Sequence, residues 1–189
     1  LLYLLEVVQP ESAIVFCNTR NETEMIAKYL TQLGLVAEAL TGNFRQKERE
    51  RVMGQIKRDD LRFMVATDIA SRGIDISHLS HVINYSLPEF PEVYLHRVGR
   101  TGRAGKAGAA ISLVDGKGLG TLTVLERQFN IKFNELILPP EEETVALRSK
   151  RIMKELSEKA SVSEVGQHLP VAKEILEAED GNQIIAFLL

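Results

Sequence analysis

Apolar residues along this chain fall into two alternating textures. Short, unbroken, β-branched runs are separated by longer segments in which apolar residues recur three and four positions apart. Ala13 to Asn18, Val36 to Leu40, Arg62 to Thr67, His81 to Tyr85 and Ala109 to Val114 read as strands. Asn21-Glu-Thr-Glu24 has a helix-start pattern, a cap residue followed three positions later by glutamate. The helix it opens carries Met25, Ile26, Tyr29, Leu30 and Leu33 as its inward set, and Gly34 ends it. Gln46 to Arg58 predicts a charged amphipathic helix with Val52, Met53 and Ile56 inward, and Leu119 to Phe129 predicts another. Leu1 to Val8 reads as the end of a helix with no cap before it, so the chain is expected to be a piece of something longer. The strands are apolar throughout rather than alternating, which predicts an α/β fold: a parallel sheet covered by helices on both faces. In such sheets ligands lie outside the carboxyl ends of the strands. The loops at those ends hold Asn18-Thr-Arg20, Thr41-Gly42, Asp68 to Asp75 and the chain from Ser86 onwards, and polar and glycine residues collect there.

The texture changes after Pro139-Pro140, which divides the chain into an α/β domain over 1–140 and a small all-helical extension over 141–189. In the extension, Val145 to Ala160 predicts a helix, Ser161 and Ser163 are candidate caps of a short one, and Val171 to Ala178 predicts a third. A last helix, from Asn182, stops in its apolar part at Leu189, and an exposed apolar end of this kind calls for a partner surface. At 44% hydrophobic and 26% charged residues the chain is of the soluble globular class. No apolar run approaches a membrane span and no secretion signal is visible. The single cysteine, Cys17, lies in an apolar run, which predicts core packing and a reduced, cytoplasmic setting. His78, His81 and His168 show no metal-ligand spacing with Cys17 or with each other; no metal site is expected and they are read as surface or loop packing. Net charge is −3, yet residues 20–103 carry 13 Lys+Arg against 11 Asp+Glu, a net of +2, while residues 141–189 carry 6 against 10, a net of −4. A phosphate-binding surface must therefore be local, and the tail is not part of it.

The most concentrated chemistry is Glu92-Val-Tyr-Leu-His-Arg-Val-Gly-Arg-Thr-Gly-Arg-Ala-Gly105. Read as a helix running into a glycine loop, it places His96, Arg100 and Arg103 on one face, with Tyr94, Leu95 and Val98 holding it to a core and Arg97 at the edge. Cations crowded on one short element repel unless an anion lies in front of them, and guanidinium suits phosphate, being planar, permanently charged and bidentate. Gly99, Gly102 and Gly105 remove side chains that would keep a large ligand away. The alternative is an ordinary solvated basic face; the histidine, the glycines and the spacing argue against it.

Four segments then come in order. Ala13 to Thr19 (Ala-Ile-Val-Phe-Cys-Asn-Thr), Gln46-Lys-Glu-Arg49, Ala66-Thr-Asp-Ile-Ala-Ser-Arg-Gly-Ile-Asp75 and His96-Arg-Val-Gly-Arg-Thr-Gly-Arg103 resemble motif IV, the Q-x-x-R element, motif V and motif VI of the second, C-terminal RecA-like domain of bacterial DEAD-box RNA helicases. The resemblance covers roughly residues 1–140. Two departures stand out: Thr41-Gly42 where the family often has His-Gly, and Ser71-Arg-Gly-Ile-Asp75 where it usually reads Ala-Arg-Gly-Leu-Asp. The first puts a side-chain RNA contact at Thr41 in doubt.

The resemblance implies ATP with Mg²⁺, bound mainly by an N-terminal RecA-like domain of the same protein. Arg100 and Arg103 would be its arginine fingers, and His96 the link between that site, RNA and the other lobe. Gly73 and Asp75 would meet the nucleotide; a helix cap is the alternative for Asp75. Arg20, Gly42, Arg49, Thr67 and Arg72 match positions that hold the RNA sugar–phosphate backbone. A solvated charge competes for Arg49, and the end of a buried strand for Thr67. Asp68 is open between Arg72 and an interdomain arginine, and Arg97 between an interdomain and a structural pair. The chain has neither G-x-x-x-x-G-K-[ST] nor Asp-Glu-Ala-Asp, and Gly116-Lys-Gly118 reads as a turn, so the chain alone is expected to be inactive as an ATPase. The tail resembles, more loosely, the helical dimerisation extension of cold-shock-type members, which implies a homodimer through 141–189; a helical linker is the competing reading. Two other functions stay in play: a DNA translocase of the same superfamily, whose motif VI tends to begin with Gln rather than His, and a non-catalytic scaffold.

Overall fold

The computed structural model describes residues 1–42, 46–58, 60–71, 79–102, 107–162 and 165–188; side-chain statements leave out Gln46, Arg49, Glu141, Arg151, Glu155 and Val162. The chain divides into two compact units, Leu1–Leu138 and Pro139–Leu189.

In the first unit the apolar runs form β1 (Ala13–Phe16), β2 (Ala37–Leu40), β3 (Phe63–Ala66), β4 (His81–Asn84) and β5 (Ala109–Ser112). They make one sheet of order β2-β3-β1-β4-β5, every neighbouring pair parallel. β1, β3 and β4 are buried almost throughout, whereas β2 and β5, at the edges, are mostly half-buried. Residue alternation sends the strands' side chains into two separate cores. Ile14, Phe16, Leu40, Met64, Ala66 and Val82 meet Val52 of α3 (Gln46–Lys57) and Ala70 of α4 (Asp68–Ser71). Ala13, Val15, Cys17, Phe63, Val65 and Ile83 meet Leu4 and Leu5 of α1 (Leu2–Val8) and Ile26, Ala27 and Leu30 of α2 (Arg20–Gln32). Both faces are thus covered, as the unbroken strand texture requires. The chain leaves β1 toward one edge of the sheet and β4 toward the other. The switch point where ligand crevices form therefore lies between the carboxyl ends of these two adjacent strands.

Two expectations about α2 need correction. Its capping box is not at Asn21–Glu24 but two residues earlier: Thr19 is the N-cap, its Oγ1 accepts from the Glu22 N–H at 3.2 Å, and Glu22 Oε2 accepts from the Thr19 N–H at 3.0 Å. The two candidate boxes overlap, and β1 ends close enough for the earlier one to form; Glu24 instead pairs with Arg20 at 2.7 Å. The buried face is Thr23, Ile26, Ala27 and Leu30, and the larger Met25, Tyr29 and Leu33 face outward. Small residues let the helix approach the sheet closely, and the period alone does not separate these overlapping stripes. The helix stops where expected, with Gly34 in the left-handed region at φ 78°.

The stretch after β3 was expected to be a loop, yet Asp68–Ser71 closes a helical turn, the Ser71 N–H donating to the Thr67 carbonyl at 3.1 Å. α5 (Pro91–Val98) is anchored by buried Tyr94, whose ring meets Phe133 edge-on at 5.7 Å. α6 (Leu119–Phe129) lies beside α5, with Gln128 Nε2 donating to Glu92 Oε1 at 3.0 Å. Leu95 was expected to help hold α5 to the core; it is exposed.

The second unit consists of α7 (Glu141–Val162), a 3₁₀ turn at Gly166–His168, α8 (Leu169–Glu177) and α9 (Gly181–Leu188). Ser161 belongs to α7, its hydroxyl donating to the Glu158 carbonyl, and does not cap a following helix; Ser163 lies outside the described residues. α9 turns back on α8 so tightly that a Cβ at Gly181 would collide with the Ile175 carbonyl. Val171, Leu176, Phe187 and Leu188 stay exposed, Phe187 at 89%. No helix among the described residues is long and apolar enough to cross a membrane.

Cys17 is fully buried, and burial pushes its thiol up to about 12 from an ordinary value near 9. The folded state therefore holds this proton more tightly than the unfolded chain does. The resulting stability is complete below the unfolded thiol's pKa of about 8.5 and falls as pH rises toward the folded value. At pH 8 a thiol reagent such as dithionitrobenzoate is expected to leave the folded chain unmodified and to react promptly once denaturant is added.

Candidate functional site

Three strand ends build the site. β1 runs out into Asn18 and Thr19, β3 into Thr67 and Asp68, and β4 ends on the fully buried Asn84 before Ser86. A polar side chain closing an otherwise apolar buried strand needs a partner, and here the partner comes from α5. Arg97, 1% exposed, reaches from the last turn of that helix across the carboxyl ends of β3, β1 and β4. Its Nε donates to Asp68 Oδ1 and its Nη2 to Asp68 Oδ2, both at 2.7 Å, which is the bidentate fork. Nη1 donates to the Ser86 carbonyl at 2.7 Å and to Asn84 Oδ1 at 3.2 Å; Nη2 donates also to Asn18 Oδ1 at 3.0 Å. All five guanidinium N–H groups are thereby used. The plane lies over the Phe16 ring, 5.0 Å from its centroid.

The acceptors are themselves held. Asn18 Nδ2 donates to the Leu87 carbonyl at 2.8 Å and Asn84 Nδ2 to Ser112 Oγ at 3.1 Å. The Ser86 hydroxyl donates to Glu22 Oε1 at 3.2 Å, which carries the network to the capping box of α2 beside Arg20.

The expected helical face of three cations is not formed as such. α5 ends at Val98 and Gly99 caps it, so His96 is on the helix while Arg100 belongs to the turn that follows, its N–H donating to the Arg97 carbonyl at 3.1 Å; Arg103 lies outside the described residues. Gly99, a poor helix former, lies at the point where the helix stops, short of what the spacing suggests. Arg97 is at the centre of the site rather than at its edge. His96 is exposed, Arg100 is half-buried, and the two line a cleft of about 440 Å³ with Phe16, Asp68, Ser71 and Arg97.

Of the other candidates, Arg20 opens α2 and pairs with Glu24. Thr67 is half-buried at the end of β3, its hydroxyl accepting weakly from the Ala70 N–H at 3.4 Å. Gly42 is exposed beyond β2, where an added Cβ would just touch the Ile69 side chain of α4 at 4.0 Å. All three sit at the same carboxyl edge as the cleft. Arg72, Gly73, Asp75 and Arg103 lie outside the described residues, as does the Arg49 side chain on α3. The sequence reading missed Asn84; its signal was an asparagine within an apolar strand. It left Asp68 open, and the structure gives it to Arg97. Among the described residues no His, Cys, Asp or Glu cluster is arranged to hold a metal ion.

Comparison with known proteins agrees with the fold. The family profile of the helicase conserved C-terminal domain matches residues 1–105. The ATP-dependent RNA helicase CshA of Listeria monocytogenes is 37% identical over 186 residues, which is 98% of this chain and 36% of CshA. The RNA helicase CrhR of Synechocystis is 34% identical over 186 residues, 98% of this chain and 38% of CrhR. The chain thus spans little more than a third of the length of these relatives. Among solved structures, a DEAD box protein from the hyperthermophile Methanococcus jannaschii superposes with a TM-score of 0.65 at 40% identity, covering 71% of this chain and 38% of that one. Saccharomyces cerevisiae Dbp5 bound to RNA and ADP BeF3 superposes at 0.65 with 29% identity, covering 78% and 40%. The chain belongs to the helicase conserved C-terminal domain family and is a RecA-like C-terminal domain of the DEAD-box RNA helicase kind.

Removing Asp68 would strand the buried guanidinium of Arg97. Asp68→Ala is expected to lower stability by on the order of 3 kcal/mol, and Asp68→Asn, which keeps one acceptor, by clearly less. Urea unfolding of the two variants beside the parent chain measures both.

Proposed function

We propose that this domain is the closing half of an ATP-dependent RNA helicase motor. It completes an ATP site whose phosphate loop and Mg²⁺ belong to an N-terminal RecA-like lobe of the same protein. The observation that carries the reading is the division of labour among the motif VI cations. Arg97 is wholly engaged within the domain, while His96 and Arg100 line the open cleft at the strand ends. When the lobes close, Arg100 and Arg103 reach the γ-phosphate and stabilise the charge that spreads over its oxygens as the phosphoryl group leaves. Asp75 bonds the ribose hydroxyls, Gly73 lets the nucleotide approach, and His96 connects the nucleotide to the RNA side. Arg20, Gly42, Arg49, Thr67 and Arg72 hold the sugar–phosphate backbone, contacts that position RNA without reading its sequence. Without the other lobe the domain has no phosphate loop and does not turn over ATP. The sites belong to a cytoplasmic enzyme, and the tail of 141–189, with its exposed Phe187 and Leu188, to a homodimer contact.

In the complete protein, Arg103→Ala and Arg100→Ala are each expected to lower RNA-stimulated ATP turnover by on the order of 10³-fold, with RNA binding retained. Unchanged turnover would reject the finger assignment. The same assay run with single-stranded DNA separates an RNA helicase from a DNA translocase; His96, where the latter tends to carry Gln, favours RNA. For the tail, sedimentation of the chain is expected to give a dimer mass that reverts to monomer when 141–189 is deleted. Equal per-chain association with and without the segment discards the dimer.

A further inference from the structure

We infer that Arg97 is a positioning residue that couples the RNA-facing loops to the ATP-facing arginine, a role that rests on the helicase reading above. Its two ends touch the two sides. The guanidinium fixes Asn18, at the start of the loop leading to Arg20, and Asp68, which follows Thr67 and precedes Arg72. Through the Ser86 carbonyl it also holds the residue whose hydroxyl bonds Glu22 in the capping box. The backbone carbonyl of Arg97 accepts the Arg100 N–H at 3.1 Å. A shift of the RNA-side loops therefore has to move the guanidinium, α5 or both, and Arg100 hangs from the end of α5. Because no donor of Arg97 is spare and its side chain is sealed from solvent, the hub has few intermediate settings: it is engaged with all its partners or it has broken. Nothing in this role requires Arg97 to touch RNA or ATP.

The test uses the complete protein with two variants. Arg97→Lys keeps a positive charge opposite Asp68 but has no planar fork with which to span Asn18, Ser86 and Asp68 together. Asn18→Ala removes one arm of the hub at an exposed position and leaves the Arg97–Asp68 ion pair intact. RNA affinity is read by fluorescence anisotropy with labelled single-stranded oligouridylate, once without nucleotide and once with ADP–beryllium fluoride. The ratio of the two affinities is the coupling, for the parent protein expected at about 5- to 150-fold. Arg97→Lys is expected to bring it to within about twofold of unity and Asn18→Ala to lower it by about threefold or more. A purely structural arginine would lower the melting temperature and leave the ratio of the folded protein where it was. Should Arg97→Lys not fold, Asn18→Ala alone decides. A parental ratio in Asn18→Ala, or in folded Arg97→Lys, overturns the inference and leaves the helicase reading standing. A parent protein whose RNA affinity ignores the nucleotide analogue overturns that reading, and this inference with it.

Discussion

The structure depends on one ion pair, made by a buried guanidinium with a half-buried carboxylate. A guanidinium taken out of water is costly unless its charge and every N–H are matched, and the Arg97 site meets that condition with a bidentate carboxylate, two carboxamides, a carbonyl and an aromatic face. None of these partners is adjacent to Arg97 in the chain: Asn18, Asp68, Asn84 and Ser86 come from three different strand ends. The sheet must be assembled in the right order before the arginine has anywhere to go. Once it is there, the three ends are cross-linked through one residue. Hydrophobic burial on the two faces of the sheet supplies the bulk of the stability, but it does not specify how the polar loops at the rim are set. The guanidinium does.

A well-packed apolar plug at the same place could hold the strand ends about as firmly, since a buried pair roughly breaks even against hydrophobic side chains of similar volume. What a plug would not supply is directional attachment. Each N–H of Arg97 fixes the orientation of a particular loop group. One carbonyl away, the same residue fixes the first peptide beyond α5. The second hydrogen-bond tier, through Leu87, Ser112 and Glu22, makes the setting of each acceptor depend on a further element. A polar hub of this kind stabilises less per unit of buried volume than a core cluster, and orders more.

Much of this was legible in the chain before any coordinates. Unbroken β-branched runs alternating with amphipathic segments determine a parallel sheet covered on both sides, and α6 falls at the residues the periodicity marks. What was not legible followed from competition between near-equal local choices. The overlapping Thr19–Glu22 and Asn21–Glu24 boxes differ only in where β1 lets go of the chain. The two apolar stripes of α2 differ in size rather than in period, and close approach to a sheet selects the smaller. Of the site, residue types and spacing identified the cationic segment but not the split within it. An i, i+4, i+7 rule assumes the helix continues, and α5 stops at Val98. The role of Arg97 depends on acceptors up to 79 residues away, so no local pattern could carry it.

That split also shapes the field in the cleft. His96, Arg97 and Arg100 lie within five residues and line one cleft, where like charges repel. Asp68, half-buried, meets the charge of the sealed Arg97 at contact distance. Arg100 and His96 line the cleft in front of that neutralised guanidinium. An anion entering meets donors on a turn whose first peptide is already fixed by the Arg97 carbonyl, so less ordering remains to be done on binding. The net charge of −3 for the whole chain says little about this: the relevant balance is struck within one cleft, between one internal carboxylate and the cations on either side of a sealed arginine.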